Sequence, residues 1–165
     1  MIGAPLHPDW DCLVRPPSDG LRPRVMTYVH RRLASLRPAY RRDLADSRDI
    51  MILSLFQGSE VINLANIYND DRCSALHLLC DAADTLPAFS LMTGDFNLHS
   101  EVWNPDVPHH RTDPQSLVDL AQDLGMEWCP FTIPGPTHIP HDEMLRPSVI
   151  DLVFTPPQED ALCLP

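Results

Sequence analysis

Two β-rich apolar runs around a short glycine-containing turn, an amphipathic helical stretch after them, and a β-branched run near the end predict a layered α/β protein with a mixed sheet. The hairpin argues against a purely parallel sheet, and the later strand–helix alternation argues against an all-β fold. With 165 residues, 44% of them hydrophobic, the chain can bury one core but not two. No repeat or linker divides it, so residues 1–165 read as a single domain.

Residues 1–23 carry Pro5, Pro8, Pro16, Pro17 and Pro23 and read as extended loop. "RVMTYVHRRL" (24–33) alternates Val25, Thr27 and Val29 against Met26, Tyr28 and His30, the period of a strand. Residues 34–48 form a polar, arginine-rich connection without a clear period. "DIMILSLF" (49–56) and "EVINLANIY" (60–68) flank Gln57-Gly58-Ser59, a hairpin signal. Asn69-Asp70-Asp71 then offers helix caps, and Leu76, Leu79, Ala83 and Leu86 recur at helical spacing over 72–86. "AFSLMTG" (88–94) reads as a strand ending at Gly94. Asp113-Pro114 reads as a cap and first turn, with Leu117, Leu120, Ala121 and Leu124 as the apolar stripe and Gly125 as the stop. "MEWCPF" (126–131) reads as a short strand and "SVIDLVFT" (148–155) as a long one.

Composition narrows the function classes. Eighteen prolines exceed twice the usual ~5% share, so elements should be short and loops stiff. No apolar run approaches the length that spans a bilayer, and the start lacks a signal-peptide pattern. Five scattered cysteines, with no C-x-x-C pair, argue against a disulfide framework or zinc knuckle and fit a reducing interior, nuclear or cytoplasmic. A formal net charge of −11 disfavours nonspecific DNA binding, which needs cations to displace counterions. Arg31, Arg32, Arg37, Arg41, Arg42 and Arg48 nevertheless cluster locally. A solvated basic face is the commoner explanation of such a cluster, and a nucleic-acid contact the alternative.

Four residues stand where chemistry could be done. Asp151 interrupts an apolar strand, where a carboxylate calls for a partner, a metal, or a polar rim reached by alternation. Asp95 and Asn97 follow a strand end; as D-x-N they suit a plain turn, or a carboxylate for cation and water beside an amide for phosphate. Tyr68 ends another strand, where it can pack or donate a hydrogen bond to phosphate. His138, His141 and Asp142 in "THIPHDE" also suggest a second metal site, although loop histidines beside prolines need no metal.

Taken in order, "NIYND", G-D-F-N-x-H-x-x-x-W (94–103) and "SVIDLVFT" resemble the endonuclease/exonuclease/phosphatase superfamily. "HPDWD", "RVMTYVHRRL" and "SRDIMILSL" extend the resemblance to the endonuclease domain of non-LTR (LINE-type) retrotransposons, over most of the chain. It implies a four-layer α/β/β/α sandwich and hydrolysis of DNA phosphodiesters by activated water around one or two Mg²⁺ (or Mn²⁺) ions. It further implies that Asp95 orients or deprotonates the water and contacts metal, and that Asn97 holds metal or phosphate. Tyr68 would stabilise the transition-state phosphate, Asp151 would orient a histidine, His99 would line the site, and Trp103 would pack beneath the loop.

The pattern departs from the family at both flanks. The early asparagine strand, the Q-E pair with its metal-binding glutamate, and the late S-D-H histidine are not in the sequence, and the sandwich is expected to lack its first strands and last strand. Gln158-Glu159 lies at the wrong end to substitute, His99 belongs to the G-D-F-N-x-H motif, and nothing supports Glu143 as a replacement ligand. The catalytic set is therefore expected to be incomplete and Mg²⁺ binding weak. A non-catalytic remnant of the endonuclease domain is the alternative, and a phosphatase of the same superfamily a weaker one.

Overall fold

The computed structural model describes residues 5–18, 20–105, 114–132, 135–141 and 146–157. Its centre is a six-stranded mixed sheet built from β3 (Ala39–Tyr40), β4 (Ile50–Gln57), β5 (Glu60–Tyr68), β6 (Leu91–Asp95), β7 (Glu127–Trp128) and β8 (Asp151–Thr155), in the order β3-β4-β5-β6-β8-β7. Only β5 and β6 run parallel; every other neighbouring pair is antiparallel. The hairpin reading holds: Gln57 pairs with Glu60 across a two-residue turn, where Gly58 takes a φ of 61°. That left-handed backbone is one that glycine adopts without a Cβ penalty.

Alternation along β4 and β5 sorts the two faces of this sheet. Ile50, Ile52, Ala65 and Ile67 join Met92, Leu152 and Phe154 on one face, packed against α1 (Ser74–Ala82) through Ala75, Leu76 and Leu79 and against α2 (Gln115–Asp123) through Leu117, Leu120 and Ala121. Leu53 and Leu55 face the other way and meet Val29, with Leu13, Leu33, Leu36, Ile62 and Leu64 around them. Leu13 and Val29 come from a two-stranded antiparallel sheet, β1 (Trp10–Val14) with β2 (Met26–His30), and Leu33 and Leu36 from the 3-10 helix Arg31–Leu36, while Ile62 and Leu64 lie on β5 itself. Among the described residues the layers are therefore helices, a large sheet and a small second sheet.

Several sequence expectations need correction. The N-terminal segment is not all loop: the proline-free stretch of β1 pairs with β2 from Trp10↔His30 to Val14↔Met26. The arginine-rich connection holds the 3-10 helix and β3. The helix expected over 72–86 is α1 plus a 3-10 turn, Ala83–Thr85. Its N-cap position is Cys73, which makes no side-chain cap, yet Asp70 Oδ1 accepts from Ser74 N at 2.9 Å and does the work of a cap. The run at 148–155 becomes strand only from Asp151, because Ile150 N and Asp151 N both donate to the Thr137 hydroxyl at 3.0 Å. Asp113, Asp142, Glu143, Gln158 and Glu159 lie outside the described residues.

The arginine cluster is largely neutralised in place. Arg31 pairs with Asp11, Arg41 with Asp43, Arg42 with Asp46 and Arg48 with Asp49, while Arg37 lies over the Phe56 ring. Apart from Arg48–Asp49, whose carboxylate is buried, these pairs reach solvent and contribute little stability. They do remove the excess positive charge that a phosphate backbone would seek, which favours the solvated-face explanation.

Candidate functional site

Strand register brings the site together. Tyr68 at the end of β5 is paired with Asp95 at the end of β6, and Asp95 is paired with Asp151 at the start of β8. Asp95 and Asp151 face each other across antiparallel strands, where opposite Cα atoms lie ~4.5–5.5 Å apart, and Tyr68 and Asp95 are register neighbours across the parallel β5–β6 pair. The phenol and the two carboxylates thus stand side by side at one end of the sheet, although 83 residues separate the first from the last (151 − 68). By alternation all three point to the face that carries the small sheet, and all three are half-buried.

Gly94 makes the close approach of β5 and β6 possible. Its φ of 151° would aim a Cβ at the neighbouring strand, 1.9 Å from the Ile67 carbonyl oxygen. Only a residue without a side chain fits beside Ile67, so the glycine of G-D-F-N sets the spacing that places Asp95 next to Tyr68.

Two like charges on paired residues leave an electrostatic debt. The Asp95 carboxyl is pushed above its ordinary value, first by burial and then by the neighbouring charge of Asp151. The Asn97 backbone N–H, donating to Asp95 Oδ1 at 3.2 Å, and the nearby His138 offset part of this. Such a pair calls for a proton or a cation between its members.

Asn97 takes a φ of 51°, and its Nδ2 donates to the Asn69 carbonyl at 2.7 Å. That bond ties the amide to the residue after Tyr68 and leaves Oδ1 outside it. His99 follows on the same loop, half-buried. Trp103 is buried behind the loop, as expected, and its indole N–H donates to the Leu98 carbonyl at 3.0 Å.

Three residues that the sequence did not single out for the site support it. Asn69, 0% exposed, donates to the Phe96 carbonyl at 3.0 Å and accepts from Leu76 N at 3.3 Å, tying the β6 loop to α1. Asn104 clamps both backbone groups of Val149, two residues before Asp151, at 2.8 and 2.6 Å. Thr137 holds the amide of Asp151 itself. His138, considered above for a second metal site, pairs through its backbone with Ser148 and stands near Asp95, while Asp142 of that reading lies outside the described residues. Among the described residues no group of three or more His, Cys, Asp and Glu is placed to hold a metal ion.

A mixed sheet under a helical layer, with a small second sheet on its other face, defines a layered α/β protein with paired carboxylates at one sheet end. The chain belongs to the endonuclease-reverse transcriptase family, whose pattern matches residues 62–163 and so includes Tyr68, Asp95, Asn97 and Asp151. Its fold is similar to that of the endonuclease domain of TRAS1, a telomere-specific non-LTR retrotransposon. The TM-score is 0.63 at 14% identity, over 91% of this chain and 68% of that one. A beta toxin from Staphylococcus aureus with bound magnesium ions shares a weaker likeness, TM-score 0.39 at 15% identity over 67% of this chain and 43% of that one, too low to support any inference. Comparison with curated proteins finds no match.

Proposed function

We propose that the end of the sheet is the cation- and phosphate-handling part of a DNA endonuclease site, in which Asp95 and Asp151 hold one Mg²⁺ or Mn²⁺ ion. The observation that carries this is the register Tyr68↔Asp95↔Asp151, which sets two acidic side chains beside one phenol on rigid strand ends. Mg²⁺ takes oxygen ligands and is commonly bound through one or two carboxylates, with water and substrate phosphate completing the shell. The residues fit that requirement at its lower limit. When bound, the ion would supply charge to neutralise phosphodiester oxygens and to acidify a water.

The chain's own groups then divide the work. Asp95, raised by burial and by Asp151, accepts a proton more readily than an exposed aspartate and suits the orientation or deprotonation of the attacking water. Tyr68 donates its O–H to a phosphate oxygen, where negative charge grows in the transition state. Asn97, anchored through its Nδ2 to Asn69, offers Oδ1 towards cation or water. Asp151, held by Thr137, contributes the second carboxylate in place of the histidine-orienting role that the resemblance implies. With two carboxylates the affinity for Mg²⁺ is weak, and cleavage by this chain is slow.

A plasmid-nicking assay with the native chain and Asp95→Asn side by side tests this reading. Nicked circles should accumulate at the edge of detection, only with Mg²⁺ or Mn²⁺, and not with the variant. Nicking that survives Asp95→Asn or a chelator would remove catalysis from this site. Rapid Mg²⁺-dependent nicking, lost in the variant, would show that two carboxylates serve better than their number suggests.

A further inference from the structure

Arg24 follows Pro23 at the head of β2, and nothing local in the sequence distinguishes it from the other arginines. Its surroundings do. The guanidinium is bonded through Nε and Nη2 to both carboxylate oxygens of Asp49, the second at 2.5 Å, and through Nη2 to Asp70 Oδ2 at 3.0 Å. The same planar group lies over the Tyr68 ring, its Cζ 4.5 Å from the ring centroid. Asp49 is 5% exposed, and its carbonyl accepts from Tyr68 N at 2.9 Å. Asp70, two residues after Tyr68, caps the first turn of α1 through Ser74 N.

One side chain thus joins the residue preceding β4, the end of β5 and the start of α1 while covering one face of the site's aromatic ring. We propose that Arg24 is a positioning residue that fixes the Tyr68 ring and thereby the place of its phenol oxygen at the proposed phosphate site. An arginine suits this where a lysine would not: its flat fork meets two carboxylates in fixed directions and stacks on an aromatic face at once. The other arginines are poor rivals. Arg31 and Arg42 meet their aspartates as exposed pairs, far more loosely constrained. The inference rests on the reading of Tyr68 as a phosphate-contacting group, and its test separates the two.

The chain contains three tyrosines, so ring-selective labelling gives a simple NMR spectrum in which Tyr28 and Tyr40 serve as internal controls. The measurement compares the native chain with Arg24→Lys and with the double variant Arg24→Gln/Asp49→Asn, which does not leave Asp49 as an unpaired buried carboxylate. In both variants the Tyr68 signals should move and its ring should flip roughly tenfold faster or more, as expected when a desolvated cation–ring contact is lost. Tyr28 should keep its native signals. Unchanged Tyr68 signals in a folded variant would overturn the proposal, and so would loss of the fold in both variants, which would make Arg24 a general stability residue. Adding a short DNA duplex with Mg²⁺ to the native chain supplies the second arm. Tyr68 signals that ignore DNA would end the phosphate reading of Tyr68, whereas the hold of Arg24 on the ring is judged from the variants alone.

Discussion

Replacing Gly94 by alanine puts one methyl group against the backbone of the adjacent strand. The new Cβ would lie 1.9 Å from the Ile67 carbonyl oxygen, 2.7 Å from its carbon and 2.8 Å from its nitrogen. Relaxed carbon contacts sit at about 3.5–4.0 Å, so β5 and β6 would have to part by roughly 1.5 Å at that point. Forced overpacking of this kind costs ~1–3 kcal/mol. The φ of 151° adds strain for any side chain, again ~1–3 kcal/mol. The expected loss is about 2–6 kcal/mol. At ~2–4 °C per kcal/mol for a chain of this size, the melting temperature should fall by roughly 10 °C. Thermal unfolding followed by circular dichroism measures it. A Gly94→Ala protein melting within ~2 °C of the native chain would refute the close β5–β6 approach and, with it, the reason for Asp95 standing beside Tyr68.

Other outcomes follow from the same geometry. Asp95→Asn should stabilise the metal-free chain at neutral pH by roughly 0.2–1 kcal/mol, the scale of a cross-strand pair, by removing the repulsion with Asp151. The sign in pH is fixed: because the folded-state value of Asp95 is raised, its contribution to folding is present below the ordinary carboxylate range and lost as pH rises through the folded value. Urea titrations across that range should therefore show a pH slope in the native chain that is reduced in the variant. Asn69→Ala should cost ~1–3 kcal/mol for each buried group left unbonded, the Phe96 carbonyl and the Leu76 amide, read from the urea midpoint. Asp70→Ala should cost ~0.5–2 kcal/mol through lost capping of α1, with the loss shrinking at acid pH where Asp70, held low by the Ser74 N–H and by Arg24, becomes protonated in the native chain.

Much of the fold was legible because local signals agreed with tertiary need. The β4–β5 hairpin has apolar runs, a glycine turn and a partner strand adjacent in sequence, so one short window contained the whole argument. The stripes of α1 and α2 face the core as their spacing implied. Strand β1 was hidden by the prolines on either side of it and by a partner, β2, that lies across a loop. The candidate site divided in the same way. Tyr68 and Asp95 could be named from strand ends and Asp151 as the acid within an apolar run, and their adjacency is a matter of register, which single strands do not reveal. Arg24, Asn104 and Thr137 act on residues 13 to 46 positions away, as Asn69 does on Phe96, and no local pattern marks a side chain for work at such range. His138 was noticed for the histidines and acid of its own loop, and its nearness to Asp95 is a product of the fold that the loop does not show.

The account stands most directly on where a divalent ion binds. Titrating the isotopically labelled chain with Mn²⁺, whose unpaired electrons broaden nearby NMR signals, locates that place without requiring turnover. Broadening should begin at Asp95 and Asp151, extend to Tyr68 and Asn97, be displaced by excess Mg²⁺, and disappear in Asp95→Asn. Broadening that begins at the exposed acids Asp43 and Asp46 while Asp95 and Asp151 stay sharp would contradict the account, because the carboxylate pair would then be a strained feature of the sheet and not a metal site.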